Sequence, residues 1–491
     1  MSVTYRPRGG TQWILLFLGA AVFGQPRPPL EIELKKFTQA FAAIEAQSAD
    51  SFASEQAFYG GAIPAMLRRL DPFSVFLDPT QTEQLKEMEK SERKGFGSVV
   101  SVLPGRVIVL QTLPGTPSAK AGLSAGDEIL AINNIPLNRL EFEQLIQLLT
   151  EARQREARLM VRRPGNVRML NFTLSPELVD SPSVDRAYLL RPAIGYVRVA
   201  NFDPKTGSLL KSTIESLGGK DLKGLVLDMR NNPGGVVQAA LEASALFLKP
   251  GQTILSVRGR STPDDAVKVP DKTEPYTFPV AILINGKTAS AAEIVTGALQ
   301  DHDRAVVIGE PSYGKGLVQS VYNLSSNTAL ALTTAFYYTP SGRSIQKPIE
   351  GGQLNPAKYA GKGEHRTDSG RVVKGGGGIQ PDELAAPEPM TRLRQVLEAS
   401  GILTAFATEY SQKHKVGEDF AVTPALLDEF KVYLSEHNIQ PSMGEWLQER
   451  TWMENRLKQE LFNLVLGVAK GDEVEAQRDP MVVRALAAIS R

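Results

Sequence analysis

From residue 30 the apolar positions Leu30, Leu34, Phe37, Phe41 and Ile44 recur at three- and four-residue steps, the period of a helix with one apolar face. The helical reading extends to about residue 80, where Leu70-Asp71-Pro72-Phe73 and Asp78-Pro79 supply turn signals. Between residues 83 and 175 the pattern shortens to strand-length apolar runs punctuated by glycine, such as Val99-Val100 and Val107-Ile108-Val109-Leu110. From 190 to 345 strands and helices alternate. Gly224-Leu225-Val226-Leu227 and Val280-Ala281-Ile282-Leu283-Ile284 are continuous apolar runs, as expected of strands covered on both faces of an α/β sheet, and each leads through a Gly-containing turn to a helix. The Gly-rich polar stretch 351–378 reads as an exposed, mobile loop. After Pro387-Glu388-Pro389 the chain is helical again: Leu393, Val396 and Leu397 form a stripe, and Thr423-Pro424 supplies an N-cap and first-turn proline for Leu426, Leu427, Phe430 and Leu434. Trp446 and Trp452 with Met453, Leu457 and Leu461 make a mixed stripe. There is no internal repeat.

The 491 residues, 42% hydrophobic and 22% charged, have a globular composition and make about three or four compact units. Lys+Arg 55 against Asp+Glu 54 leaves +1, so no global field favours nucleic acid. The absence of cysteine excludes disulfides, thiol nucleophiles and Cys-ligated metals. Four histidines without HExxH spacing speak against a His-rich metal site, so neither metal nor cofactor is expected. At the N-terminus, Arg6 and Arg8 precede the apolar run Trp13 to Phe23, which Gln25-Pro26-Arg27-Pro28-Pro29 ends. That run is short of the roughly 20 residues a spanning helix needs and fits a secretory signal. Val22 and Gly24 suit cleavage before Gln25, giving an exported, periplasmic or extracytoplasmic protein. An uncleaved N-terminal anchor is the alternative.

Candidate chemistry lies between 224 and 346. In Asn285-Gly286-Lys287-Thr288-Ala289-Ser290 a buried strand runs into a turn, and Ser290 falls where a helix begins. Free N–H groups and the positive helix end there favour an alkoxide, although a serine at that place is also an ordinary cap. His302, between Asp301 and Asp303, is a weak candidate base and reads better as a surface residue at a helix end. Lys315, between Gly314 and Gly316, can act as base if burial keeps it neutral, and the same glycines also suit an exposed turn. On a strand over 315–321, Lys315, Leu317 and Gln319 share one face, and Gln319 could hold the amine without adding charge. Gly234-Gly235, after Asp228-Met229-Arg230-Asn231-Asn232-Pro233, suits an oxyanion hole or a plain tight turn.

The ordered set DMRNNPGG, NGKTASAAEI, ALQDHDRAVVIGEPSYGKGLVQ, TPSGRSIQ and GGGGIQPD resembles the carboxyl-terminal processing, or tail-specific, serine protease family. Gly95-Phe96-Gly97 and the run Gly115 to Asp127 resemble the PDZ domain these proteases carry, and LDPFSVFLDP the segment before it. The resemblance covers about residues 30 to 385. With the patterns above it gives a multidomain α/β chain: a signal peptide (1–24), an N-terminal helical region (25–82), a PDZ domain (83–175) inserted before a crotonase-like α/β protease core (176–385), and a C-terminal helical region (386–491) that, like the loop 351–378, departs from the family pattern. Carried over, Ser290 matches the nucleophile, Lys315 the base and Gln319 its orienting residue, while the Ala291 backbone with Gly234 or Gly235 matches the oxyanion hole. Gly95-Phe96-Gly97 matches the loop that takes a substrate's terminal carboxylate, with Phe96 at the last side chain; Arg93 or Lys94 adds charge attraction or simply forms a solvated turn. The resemblance further implies unfolded or C-terminal-tail protein substrates, a homo-oligomer, an activating adaptor protein, and C-terminal helices that either self-associate or simply cap the protease core. Rival readings are an inactive PDZ scaffold, a non-protease Ser/Lys hydrolase and a crotonase-like acyl-CoA enzyme. Intact Ser290, Lys315 and Gln319 weigh against the first, the peptide-end-binding domain against the second, and export against the third.

Overall fold

The computed structural model describes residues 29–51, 53–89, 92–260, 265–348, 364–386 and 388–490; the proposed signal, 1–24, lies outside them. The centre is a six-stranded sheet in the order Val184–Arg191, Ile194–Val199, Gly224–Asp228, Val280–Ile284, Ala305–Gly309, Glu383–Leu384. The first pair is antiparallel and the rest are parallel. Every residue of Gly224–Asp228 and Val280–Ile284 is buried, because both faces are covered. On one face pack helices Thr206–Leu217, Val237–Ala245 and Ala291–Asp301. On the other, Met481, Val482, Ala485, Leu486 and Ile489 of helix Pro480–Ile489 close over Tyr196, Val226, Ala281 and Leu283. A second sheet is built on the long strand Ala329–Tyr338, which pairs with Val75–Leu77, Thr253–Arg258 and Leu317–Asn323.

Ahead of this core, strands Ser98–Leu103, Arg106–Thr112, Glu128–Ile132, Ala157–Arg162 and Leu170–Leu174 form a separate sheet with helix Phe142–Ala152 and its own apolar core. Ser98–Leu103 is its end strand. A two-stranded stem, Glu92–Gly95 with Glu177–Asp180, joins this sheet to the core. The C-terminal helices form a bundle, in which Thr423 caps Pro424–Glu436 as the sequence predicts. The bundle also touches the end-strand sheet, where Val468 N–H donates to Gln111 Oε1 at 3.1 Å.

Three expectations change. The stretch to residue 80 is not continuous helix: helices Pro29–Gln47 and Ile63–Leu70 are followed by strand Val75–Leu77, whose partner Ala329–Ala331 is remote in sequence. The apolar residues Leu30, Ile32, Leu34, Phe37 and Ile44 of the first helix are exposed. The polar loop 351–378 is not wholly loose: from residue 364 it carries the hairpin His365–Arg366 with Val372–Val373, and buried Ile379 is tied to the core. Finally, Trp446, Met453, Leu457 and Leu461 point into the helical bundle, so that stripe is core and not a surface for self-association. Among the described residues no helix is long and apolar enough to cross a membrane.

Candidate active site

Ser290 sits between strand Val280–Ile284 and helix Ala291–Asp301 with φ +53°, a strained backbone for a residue with a Cβ. The turn before it is locked from below: Thr288 Oγ1 donates to Met229 O at 2.8 Å, and Ala289 N to Asn232 O at 2.9 Å. Every residue of the following helix is buried. Among them is Glu293, whose carboxylate is the hub of the site. One oxygen, Oε2, accepts both Ser290 N–H (2.8 Å) and Lys315 N–H (2.9 Å); Oε1 accepts Gly314 N–H (2.7 Å) and the Ser312 hydroxyl. The Ser312 oxygen is itself occupied by Ile379 N–H at 2.6 Å, so its proton goes to Glu293. Burial pushes the Glu293 carboxyl above its usual range, and the four donors pull the other way. From the opposite side the buried Tyr337 hydroxyl donates to Lys315 O at 2.8 Å and lies 3.2 Å from Ser290 O. Ser290 and Lys315 are thus neighbours around one carboxylate oxygen and one phenol.

Lys315 lies in the turn before strand Leu317–Asn323, not on the strand, and the strand bulges between Val318 and Gln319. This corrects the single-face expectation, since Leu317 goes into a small apolar cluster. The pairing with Gln319 holds all the same: Lys315 Nζ donates to Gln319 Oε1 at 2.7 Å. Gln319 is fixed at its other end, where Nε2 donates to Phe73 O at 2.7 Å. The Phe73 ring centroid is 5.2 Å from the amine. Asp71 builds that segment by accepting Phe73 N–H, Ser74 N–H and the Ser74 hydroxyl, and Thr333 fastens it to the long strand. Burial lowers the Lys315 pKa, against the charges of Asp71 and Glu293. Among the described residues the Ser290 hydroxyl and the Lys315 amine are not hydrogen-bonded to each other; the amine's bond goes to Gln319.

The glycine turn presses on the serine. A Cβ on Gly234 would lie 2.7 Å from Ser290 Cβ and 2.9 Å from Ala291 N. Gly234 N–H is occupied by Asn232 Oδ1 at 2.8 Å. Gly235 N–H and Ala291 N–H, by contrast, have no partner among the described residues, so the turn offers Gly235 and not Gly234 as a donor. Gly235 has φ +142°, and a Cβ there would meet Phe202 O at 1.9 Å, so glycine is required. His302 is elsewhere employed: its ring nitrogens face Asp368 Oδ2 and Thr253 O, both at 2.8 Å, and it pins the 364–370 loop to the end of the helix.

In the end-strand sheet, Gly97 (φ +74°) turns Gly95-Phe96-Gly97 so that its carbonyls accept Ser118 N–H and Leu113 N–H. The Phe96 and Gly97 N–H groups have no partner among the described residues, and Phe96 packs on the local core. Lys94 is exposed and the Arg93 side chain lies outside the described ones. Arg153, which the sequence reading did not single out, passes beside this loop: its Cδ is 4.0 Å from where a Gly95 Cβ would stand. Glu293, Tyr337 and Phe73 were also missed. Only Glu293 had a local signal, the Ser-x-x-Glu spacing of a capping box.

Residues 193–352 match peptidase family S41 and residues 108–163 match a PDZ domain. A carboxy-terminal-processing protease of Bartonella bacilliformis is 36% identical over 342 residues, 67% of this chain and 77% of its own length. A carboxyl-terminal-processing protease of Synechocystis is 32% identical over 292 residues, 58% of this chain and 68% of its own. Among solved structures, a photosystem II D1 C-terminal processing protease aligns over 75% of this chain and 97% of its own, at 24% identity and TM-score 0.41. The chain belongs to the carboxyl-terminal-processing proteases of peptidase family S41, serine peptidases whose PDZ domain here precedes the protease domain.

Proposed function

We propose that Ser290 is the nucleophile and neutral Lys315 its base, in an exported endopeptidase that takes protein substrates by their C-terminal tails. The observation that carries this is the environment of the Lys315 amine: half-buried, lowered in pKa, and bonded to an uncharged amide rather than a carboxylate. Lys315 takes the hydroxyl proton as Ser290 Oγ attacks a peptide carbonyl. The oxyanion is met by Gly235 N–H and Ala291 N–H. The ammonium then protonates the leaving amine, and water releases the acyl-enzyme. The strand, glycine turn and helix that frame this hole give the core its crotonase-like character. Because the amine is held by Gln319, the first step needs it to reach the Ser290 hydroxyl, which a bound substrate segment would favour. The PDZ domain of residues 83–175 adds a substrate tail to its end strand Ser98–Leu103, with the terminal carboxylate on the Phe96 and Gly97 N–H groups beside Arg153. Residues 1–24 direct export to the periplasm. Self-association or an adaptor would use faces other than the Trp446 stripe.

An unfolded reporter with an apolar C-terminal tail tests the docking. Amidating that tail removes the carboxylate and is expected to lower kcat/KM by about tenfold or more, the worth of one charge-assisted contact. Equal kcat/KM for free and amidated tails would remove the PDZ from substrate selection.

The base has its own test in the pH–rate profile. Neutral lysine accumulates as pH rises through its lowered pKa, so activity is present above that value and lost as pH falls through it. The rising limb is therefore expected below ~10, the ordinary lysine value. Gln319→Glu places a charge against the amine, favours its protonated form, and is expected to lower the rate at pH 7 while moving the limb upward. An unmoved limb would assign it to another group.

A further inference from the structure

The face of the central sheet opposite the Ser290 helix is closed by Pro480–Ile489, and the residue that caps that helix also reaches the catalytic side. We propose that Asp479 is a positioning residue for the reaction, holding through Arg230 the turn that presents Gly235 N–H to the oxyanion. The proposal rests on the reading of Gly235 and Ala291 as oxyanion donors.

Asp479 divides its carboxylate. Oδ1 accepts Met481 N–H at 2.8 Å and caps the helix, while Oδ2 pairs with Arg230 Nη1. The remaining guanidinium edge is spent on Asp228: Nε contacts both oxygens at 3.0 Å and Nη2 contacts Oδ2 at 2.6 Å. Asp228, 2% exposed at the end of its strand, also takes the Tyr196 hydroxyl at 2.7 Å. Arg230 is therefore clamped between a carboxylate of the sheet and one of the C-terminal helix. Burial opposes its charge, and the contacts with Asp228 and Asp479 outweigh that opposition.

Immediately after Arg230 the chain enters the oxyanion turn, which is stitched to the serine's own turn. Asn231, at φ +59°, exchanges two hydrogen bonds with Asn285, and Asn232 accepts Ala289 N–H on its carbonyl and Gly234 N–H on its side chain. A displaced Arg230 would therefore shift Asn231–Gly235 against Ala289–Ser290. There is room for such a shift: a polar cavity of about 280 Å³ adjoins Arg230, Asn231, Asn285, Asp479 and Met481. A guanidinium released by Asp479 keeps its Asp228 contacts but can swing about them into it. Oxyanion donors act only within narrow distance limits, and a misplacement of about 1 Å costs on the order of 100-fold in rate.

The test compares Asp479→Asn, Asp479→Glu and Ser290→Ala in the full chain on the unfolded reporter, with melting temperatures. Asp479→Asn retains an oxygen for the Met481 cap and loses the charge on Arg230. It is expected to lower kcat by about tenfold or more, with KM within about twofold and an essentially unchanged melting temperature. Asp479→Glu restores the charge and is expected to recover most of kcat. In an Arg230→Lys background, Asp479→Asn should have little further effect. Wild-type kcat in Asp479→Asn, or the same loss in both backgrounds, overturns the positioning role while Ser290→Ala remains inactive. If Ser290→Ala itself turns over normally, the underlying reading of the site has failed instead.

Discussion

Replacing Lys315 or Ser290 by alanine is expected to remove turnover of an unfolded reporter, each by roughly 10⁴-fold or more, because nucleophile and base act as one unit. The double variant should be no slower than either single one. Neither side chain belongs to the PDZ domain, so affinity for a tail peptide, read by fluorescence polarisation, should be unchanged. Loss of tail binding along with turnover would instead mean a folding defect. The lysine variant is the more informative. His302, the only histidine near the site in sequence, is committed to Asp368 and Thr253. Ordinary imidazole chemistry therefore has no ready substitute for the amine. Turnover by Lys315→Ala within about tenfold of wild type would mean that the proton leaves Ser290 by another route.

Much of this site was legible because its residues lie in short local patterns. The continuous apolar run Val280–Ile284 announces a strand covered on both faces, and a serine six residues beyond the strand's end falls at a helix start. The glycine pair, the glycine-flanked lysine and the glutamine four residues on were readable for similar reasons. What was not legible depends on distance along the chain. Gln319 is held by the carbonyl of Phe73, 246 residues away, and Arg230 by Asp479, 249 residues away. No period or spacing encodes such pairings. Periodicity also shows that a face is apolar without saying what covers it. Trp446, Met453, Leu457 and Leu461 turned out to face their own bundle, whereas the equally periodic Leu30, Leu34, Phe37 and Ile44 stand exposed. Alternation through Gly316 puts Lys315 on a strand, but the strand begins only at Leu317, and Lys315 meets Gln319 across the bulge after Val318.

Glu293→Gln is expected to cost on the order of 100-fold or more in kcat, although it changes one atom of a side chain that would not touch substrate. The hydrogen-bond inventory decides this. Ser290 N–H, Lys315 N–H, Gly314 N–H and the Ser312 hydroxyl all donate to Glu293, so both oxygens must act as acceptors. A glutamine can offer only one. With its NH₂ toward Ser290 and Lys315, two backbone donors face two more, and the atom that draws nucleophile and base together becomes one that pushes them apart. With the amide reversed, Gly314 N–H faces the NH₂ and the Ser312 proton loses its acceptor. Either orientation leaves buried donors unpaired, at about 1–3 kcal/mol each, so a lower melting temperature should accompany the lost rate. Temperature therefore separates the two effects: well below the melting transition the variant should remain folded by circular dichroism and still turn over slowly. Full activity of folded Glu293→Gln would mean that the carboxyl already carries a proton and that Tyr337, through the carbonyls of Ser290 and Lys315, suffices to hold the pair in register.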